Sequence, residues 1–215
     1  GKAGTGTAMV FNYRFFDSTL RAKSLVRERD LGAPVNIVAY SHYACWSHVI
    51  DLILHFADPV SDLTAQEGLA MHPFGEGTAV PDIAAPFRAG EKTLGTITGT
   101  ASIDFAFPLY ELILSFERGR LHLRGLDEEV ELLDYAGDVH EIIAPGRNVS
   151  RWDKYAKSFR TSVDAYLDSI RQNGPPPVPG VAGLLELQFE AGLRKSIAEQ
   201  RPVSLPDEFP TAPLF

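Results

Sequence analysis

Apolar positions along the chain change period several times. Leu20, Leu25 and Val26 fall at helical spacing behind Asp17 or Ser18 as a cap, which predicts a helix through about Arg29 that ends at Gly32 and Pro34. Ahead of it, Thr7 to Tyr13 reads as an extended run entered through Gly4 and Gly6. Val35 to Tyr40 predicts a buried strand. Between Cys45 and Phe56, the positions Trp46, Val49, Ile50, Ile53 and Leu54 recur at helical spacing, with Leu52 and Phe56 widening the stripe, so this helix is expected to be buried on most sides.

From Pro59 to about Ala144 the period drops to two. Tyr110, Leu112, Leu114 and Phe116 alternate with Glu111, Ser115 and Glu117, and turn signals at Arg118-Gly119 and Gly125-Leu126-Asp127 make Tyr110 to Asp134 an antiparallel meander. Met71 to Val80 reads as a loop. Two helices close the chain. The first has Phe159, Val163, Tyr166, Leu167 and Ile170 on one face and stops at Asn173-Gly174; the second runs from about Val181 to Glu199. Between them Gly174 to Gly180, GPPPVPG, is a stiff extended connector. The order predicts an α+β fold: a large, mostly antiparallel, open-faced sheet with helices on one face.

Composition narrows the functions available to such a fold. The 215 residues are 45% hydrophobic, enough for a real core, and the net charge of −8 without a basic cluster argues against nucleic acid or an anionic membrane as partner. One cysteine, Cys45, cannot close an internal disulfide and has no nucleophile pattern around it, so a small buried residue beside Trp46 is expected. No apolar run approaches the ~20 residues needed to cross a bilayer, and a cytoplasmic location is the default. Asn148-Val149-Ser150 matches a glycosylation acceptor by chance. Gly4-Thr5-Gly6 leads into a strand, whereas a dinucleotide-binding fingerprint leads out of one into a helix.

Several segments together resemble the glucose-fructose oxidoreductase and inositol dehydrogenase (Gfo/Idh/MocA) family: NYRF at Asn12 to Phe15, DLGAPVNIVAY at Asp30 to Tyr40, SHVIDLILHF at Ser47 to Phe56, the meander from Tyr110 to Gly125, and Phe159 to Leu205 with its prolines, Gly-rich helix and last valine strand. The resemblance implies the carboxy-terminal, substrate-side domain of an NAD(P)-dependent sugar or cyclitol dehydrogenase, over residues 16–215. Residues 1–15 would be the last strand or linker of a nucleotide-binding (Rossmann) half. It also implies that NAD or NADP is bound mainly by that half, in cis or in trans, with no cofactor expected on this chain alone. The partners implied are a sugar-like small molecule and a second copy through the open sheet face.

In the same resemblance His48 is the active-site histidine. Oxidising a secondary alcohol needs a group to take the hydroxyl proton, a role that suits imidazole. Asn12, Tyr13, Arg14, His42 and Tyr43 are the substrate-binding candidates. The family's aspartate one helical turn before the histidine is Ala44 here, and the connection Ser41 to Cys45 is short.

Other readings compete. His48 is otherwise a satisfied histidine at the start of a buried helix. His48, Asp51 and His55 at i, i+3 and i+7 are more often surface than metal ligands, so no metal is expected. Arg120, His122 and Arg124 alternate on one sheet face, where charge pairing with glutamates is the ordinary explanation. For the whole chain, the alternative is a non-catalytic sugar-binding or assembly module derived from the family. A hydrolase built on His42 and His48 has no nucleophile motif behind it.

Overall fold

The computed structural model describes residues 7–57, 59–103, 108–125, 129–145 and 148–211. The entry segment is not a strand: Ala8 makes one bridge to Pro179, and Asn12–Phe15 coils into a 3-10 turn. Gly4 and Gly6 lie outside the described residues. Helix α1 (Asp17–Glu28) follows with no side-chain cap at Phe16, and Asp17 enters as its first residue rather than as the cap. Leu25 is fully buried and Val26 packs at the core edge, but Leu20 is exposed.

Strand β1 (Pro34–His42) starts a ten-stranded sheet, and α2 (Trp46–Phe56) leaves its far end through the 3-10 turn Tyr43–Cys45. The strands β2 (Val60–Leu63), β3 (Gln66–Pro73), β4 (Ala79–Ala89), β5 (Thr93–Thr100), β6 (Tyr110–Phe116), β7 (Gly119–Arg124), β8 (Glu129–Asp134), β9 (Val139–Ile143) and β10 (Val203–Ser204) complete it in the order β10-β2-β4-β5-β1-β6-β7-β8-β9, with β3 also on β4. Only β1 and β5 pair in parallel among the described strands, so the sheet is mostly antiparallel. The meander is in register as its alternation requires, with Leu112 opposite Leu123 and Leu121 opposite Leu132. The segment expected as a loop, Met71 to Val80, is instead the end of the β3–β4 hairpin, in which Met71 pairs with Pro81 and Pro73 with Ala79. Cross-strand bonding overrode the Gly and Pro signals there.

The inner sheet face carries Ile37, Ala39, Phe87, Ile97, Leu112, Leu114, Leu121 and Leu132, all buried. Helix α1 lies over β7 and β8, α2 over β1 and β6, and α4 (Gly180–Glu199) over β2 and β3. The outer face stays open. Val38 and Tyr40, expected to be buried, point to that face and are exposed. Beside them His122 meets Glu111 at 2.8 Å and Glu131 at 3.6 Å, and Arg124 reaches Glu129 and Glu131, so two of the three alternating basic residues, His122 and Arg124, face glutamates across strands.

Helix α3 (Arg151–Arg171) is turned inside out relative to its hydrophobic pattern. It buries Lys154, Ser158 and Ser162 and presents Phe159, Val163, Leu167 and Ile170 outward, the last 70% exposed. The reason lies in its neighbour: Ser158 accepts a hydrogen bond from Asn12 Nδ2 at 2.9 Å, and small serines let α3 close on the 3-10 turn Asn12–Phe15. On α4, Val181, Leu184 and Leu187 are likewise exposed.

Candidate functional site

The 3-10 turn Asn12–Phe15 sets two side chains against α2. The Tyr13 ring stacks on His48 with centroids 4.1 Å apart and planes 8° from parallel, and Phe11 meets the same imidazole edge-on at 5.9 Å. Arg14 forks onto Asp51, with Nε donating to Oδ2 at 2.8 Å and Nη2 to Oδ1 at 2.6 Å. Asp51 is wholly buried. Burial holds its carboxyl above the usual range even though the guanidinium pulls it down.

His48 sits in the first turn of α2, its Nδ1 buried and without a hydrogen-bond partner among the described residues. Burial lowers its pKa to about 4, so the imidazole is neutral at pH 7. A neutral ring offers one donor and one acceptor nitrogen, and its orientation is fixed here by Tyr13 and Phe11 rather than by a carboxylate. The Tyr13 hydroxyl lies 3.2 Å from Cys45 Sγ. Burial pushes both groups up, so Cys45 is a protonated, buried thiol and not an activated nucleophile.

His42 and Tyr43 form a second group on the other side of the same turn. His42 Nδ1 accepts from the backbone N–H of Ala44 at 3.1 Å, which caps the turn into α2. Tyr43 donates to the Pro81 carbonyl at 2.6 Å, tying this turn to the β3–β4 hairpin, and Phe74 of that hairpin packs against both His42 and Tyr43. Burial, then Asp82 and Glu67, push the Tyr43 hydroxyl up to about 12. Gly99 on β5 admits the rings: a Cβ there would stand 2.5 Å from the Trp46 indole and 2.7 Å from the Tyr43 ring.

Two adjoining cavities open beside these aromatics. One of about 470 Å³ runs between Tyr43, Trp46, Phe74, Pro81 and the α4 residues Leu193 and Ile197. The other, about 570 Å³, lies between Tyr43, Trp46 and Ser47 on one side and Glu186, Glu190 and Arg194 on the other. Trp46 Nε1 donates to Glu190 at 3.0 Å, and Arg194 holds the same carboxylate at 2.6 Å. Glu186 was not among the candidates from sequence. The available signal was two glutamates one turn apart inside the stripe Ala182, Phe189 and Leu193 that α4 buries.

The site residues expected from sequence thus fall into two groups. Tyr13, Arg14 and His48 pack together with Asn12 behind them, while His42 and Tyr43 gather with Trp46 and Phe74. Among the described residues no His, Cys, Asp or Glu side chains cluster as metal ligands. His48 is stacked on Tyr13, Asp51 is held by Arg14, and His55 turns to Phe56. Nor do the described residues contain the strand, glycine-rich turn and helix that cradle a pyrophosphate, so this part of the chain does not fit a dinucleotide's phosphates.

No family model matches the sequence, and no curated protein matches it. Solved structures do match the fold. An NAD binding oxidoreductase from Klebsiella pneumoniae superposes with a TM-score of 0.78 at 13% identity, over 95% of this chain and 67% of that one. An oxidoreductase from Agrobacterium radiobacter, solved with NAD+, L-tartaric acid and magnesium, gives 0.78 at 12% identity over 96% and 67%. Levoglucosan dehydrogenase in complex with NADH and levoglucosan gives 0.73 at 14% identity over 93% and 66%. The chain therefore shares the fold of about two thirds of several NAD-binding oxidoreductases. No helix among the described residues is long and apolar enough to cross a membrane.

Proposed function

We propose that this chain is the substrate-side domain of an NAD(P)-dependent sugar or cyclitol dehydrogenase of the Gfo/Idh/MocA type, which performs hydride transfer together with a nucleotide-binding half supplied in cis or in trans. The observation that carries this reading is the inverted helix α3. A helix that buries serines and exposes Phe159, Val163, Leu167 and Ile170 is built to be covered, and Val181, Leu184 and Leu187 of α4 are exposed as well. The third of the matched oxidoreductases that this chain does not span is the natural occupant. The cofactor, NAD or NADP, is held mainly by that half.

His48 is the catalytic candidate. Its neutral imidazole is able to accept the hydroxyl proton of a substrate, or to orient that hydroxyl by donating to it. Arg14 and Tyr13 act chiefly by fixing α2 and the imidazole. Asn12, whose Oδ1 has no partner among the described residues, His42 and Tyr43 supply substrate contacts. The exposed Val38, Tyr40, Leu94 and Ile142 on the open sheet face suit it to pairing with a second copy, and a cytoplasmic location accords with this chemistry.

Ala44 and the short connection before α2 favour one alternative, a non-catalytic sugar-binding or assembly module of the same descent. Isolation of the chain from its native host through a carboxy-terminal tag, with the mass of everything recovered, separates the two. A longer polypeptide or a partner with a nucleotide-binding fold supports the dehydrogenase. Recovery of the 23.6 kDa chain alone supports the binding module.

A further inference from the structure

Glu186 has an environment that the chemistry above does not use. It is only 7% exposed, it lines the 570 Å³ cavity, and among the described residues it has no hydrogen-bond or ion-pair partner. The carboxylates nearest to it are both answered: Asp51 by the Arg14 fork, and Glu190 by Arg194 and the Trp46 indole. With no protein partner among the described residues, its carboxyl oxygens open onto this cavity, where they offer an acceptor to a ligand that donates a hydrogen bond. We infer that the cleft between α2 and α4 is a binding site for a polyhydroxylated ring, in which the Glu186 carboxylate accepts a hydrogen bond from a ligand hydroxyl while Tyr43 and Trp46 carry the ring's apolar face.

The chemistry of the walls selects this class of ligand. Aromatic rings on one side favour the C–H face of a sugar or cyclitol, and the cavity has room for a single ring. An anion would meet Glu186 and Glu190 together, with Arg194 already engaged by Glu190. A metal ion would find no third ligand among the described residues. The inference rests on the proposed sugar-type substrate and adds where its hydroxyl is read.

A pH dependence follows. Burial, then Glu190 and Asp51, raise the Glu186 carboxyl to about 7. The other polar and charged groups that line its cavity are Tyr43, the Trp46 indole, Ser47 and Arg194; Arg14 and His48, on the neighbouring elements, do not line it. His48 stays neutral above about pH 5, and the arginines do not titrate in this range. The carboxylate accepts a hydroxyl more strongly than the neutral acid does, so affinity should rise from pH 6 to pH 8, by up to about tenfold, as the ionised fraction grows from roughly one tenth to nine tenths.

The test is an NMR titration of this chain, carboxyl-labelled with ¹³C and amide-labelled with ¹⁵N, with levoglucosan and with myo-inositol at pH 6 and pH 8. The expected result is saturable shifts at the Glu186 carboxyl and the Trp46 indole N–H with at least one polyol, and tighter binding at pH 8 than at pH 6, by up to about tenfold. Glu186→Gln should weaken binding and remove the pH dependence while leaving the fold, followed by circular dichroism, unchanged. If that variant does not fold, the wild-type carboxyl shift and pH dependence decide alone. Absence of binding by both polyols, pH-independent affinity, or binding of glucosamine but of neither neutral polyol would overturn the inference. None of these results bears on whether a nucleotide-binding half is recovered from the host, so the two readings fail separately.

Discussion

Arg14 and Asp51 hold the 3-10 turn to α2, and their burial makes the pair a sensitive probe of how the site is assembled. Asp51 is 0% exposed and the Arg14 side chain 14%, and both carboxylate oxygens are occupied by one guanidinium. Arg14→Ala leaves that carboxyl buried without its cation. Removing one partner of a buried pair costs about 3–5 kcal/mol, most of it the unpaired charge rather than the lost attraction. The variant can relieve this only by taking up a proton on folding, which pushes the folded pKa of Asp51 further above its unfolded value near ~3.9. A folded pKa raised in this way gives stability that is fully present below the unfolded pKa and is lost as pH rises through the folded one. The deficit should therefore be largest at pH 7 and shrink by about 1.4 kcal/mol for each pH unit toward pH 5, less where Asp51 is already partly protonated. Urea unfolding followed by circular dichroism at pH 7, 6 and 5 measures it. Replacing both residues, as Arg14→Met with Asp51→Leu, should recover stability to within about 1 kcal/mol, because a well-packed apolar pair avoids the desolvation altogether. A deficit for Arg14→Ala below about 1 kcal/mol at pH 7, or one that does not change with pH, would show that the fork does not anchor the turn.

Three further outcomes are expected. His48 and His55, depressed by burial to about 4 and about 3, bind protons more readily unfolded than folded, so stability present above pH 6.5 should fall on acidification by up to about 1.4 kcal/mol per pH unit for each; His48→Gln should flatten the slope, and a pH-independent urea midpoint between 7 and 5 would contradict it. Gly99→Ala places a methyl 2.5 Å from the Trp46 indole, so the Trp46 and Tyr43 rings must move, with a cost of about 1–3 kcal/mol in unfolding free energy and a shifted tryptophan emission; an unchanged spectrum would mean the rings are not seated on Gly99. Ile170→Glu on the exposed face of α3 should change the stability of this chain by no more than about 0.5 kcal/mol yet reduce recovery of a nucleotide-binding partner from the host, and full recovery would remove α3 from that interface.

Much of the architecture was legible because period-two and period-3.6 patterns are local. The meander from Tyr110 to Asp134, the burial of α2, the stop at Asn173 and the mostly antiparallel sheet all follow from the order of apolar and polar residues. Pattern alone determines that a face is apolar, but not what covers it. Hence Phe159, Val163, Leu167 and Ile170 read as a core face yet lie outward, because the inner side of α3 is taken by Lys154, Ser158 and Ser162, with Ser158 bonded to Asn12 of the 3-10 turn. Hence also Val38 and Tyr40 in an apolar run stand on the open sheet face, and Met71 to Pro81 forms a hairpin where glycine and proline suggested a loop.

The site divides in the same way. His48, Tyr13 and Arg14 were nameable from sequence, whereas the stacking of Tyr13 on His48 and the fork onto Asp51 exist only once residues more than thirty apart meet. The sequence shows Glu186 only as one of two glutamates a turn apart in an apolar stripe, because its meaning lies in having no partner among the described residues. Whether a carboxyl is buried, and whether a cation reaches it, depends on how α4 packs against α2, and no local pattern encodes that. Sequence fixes which groups are present and the period at which they recur. Burial and pairing, which set their protonation and what they can bind, are properties of the tertiary structure alone.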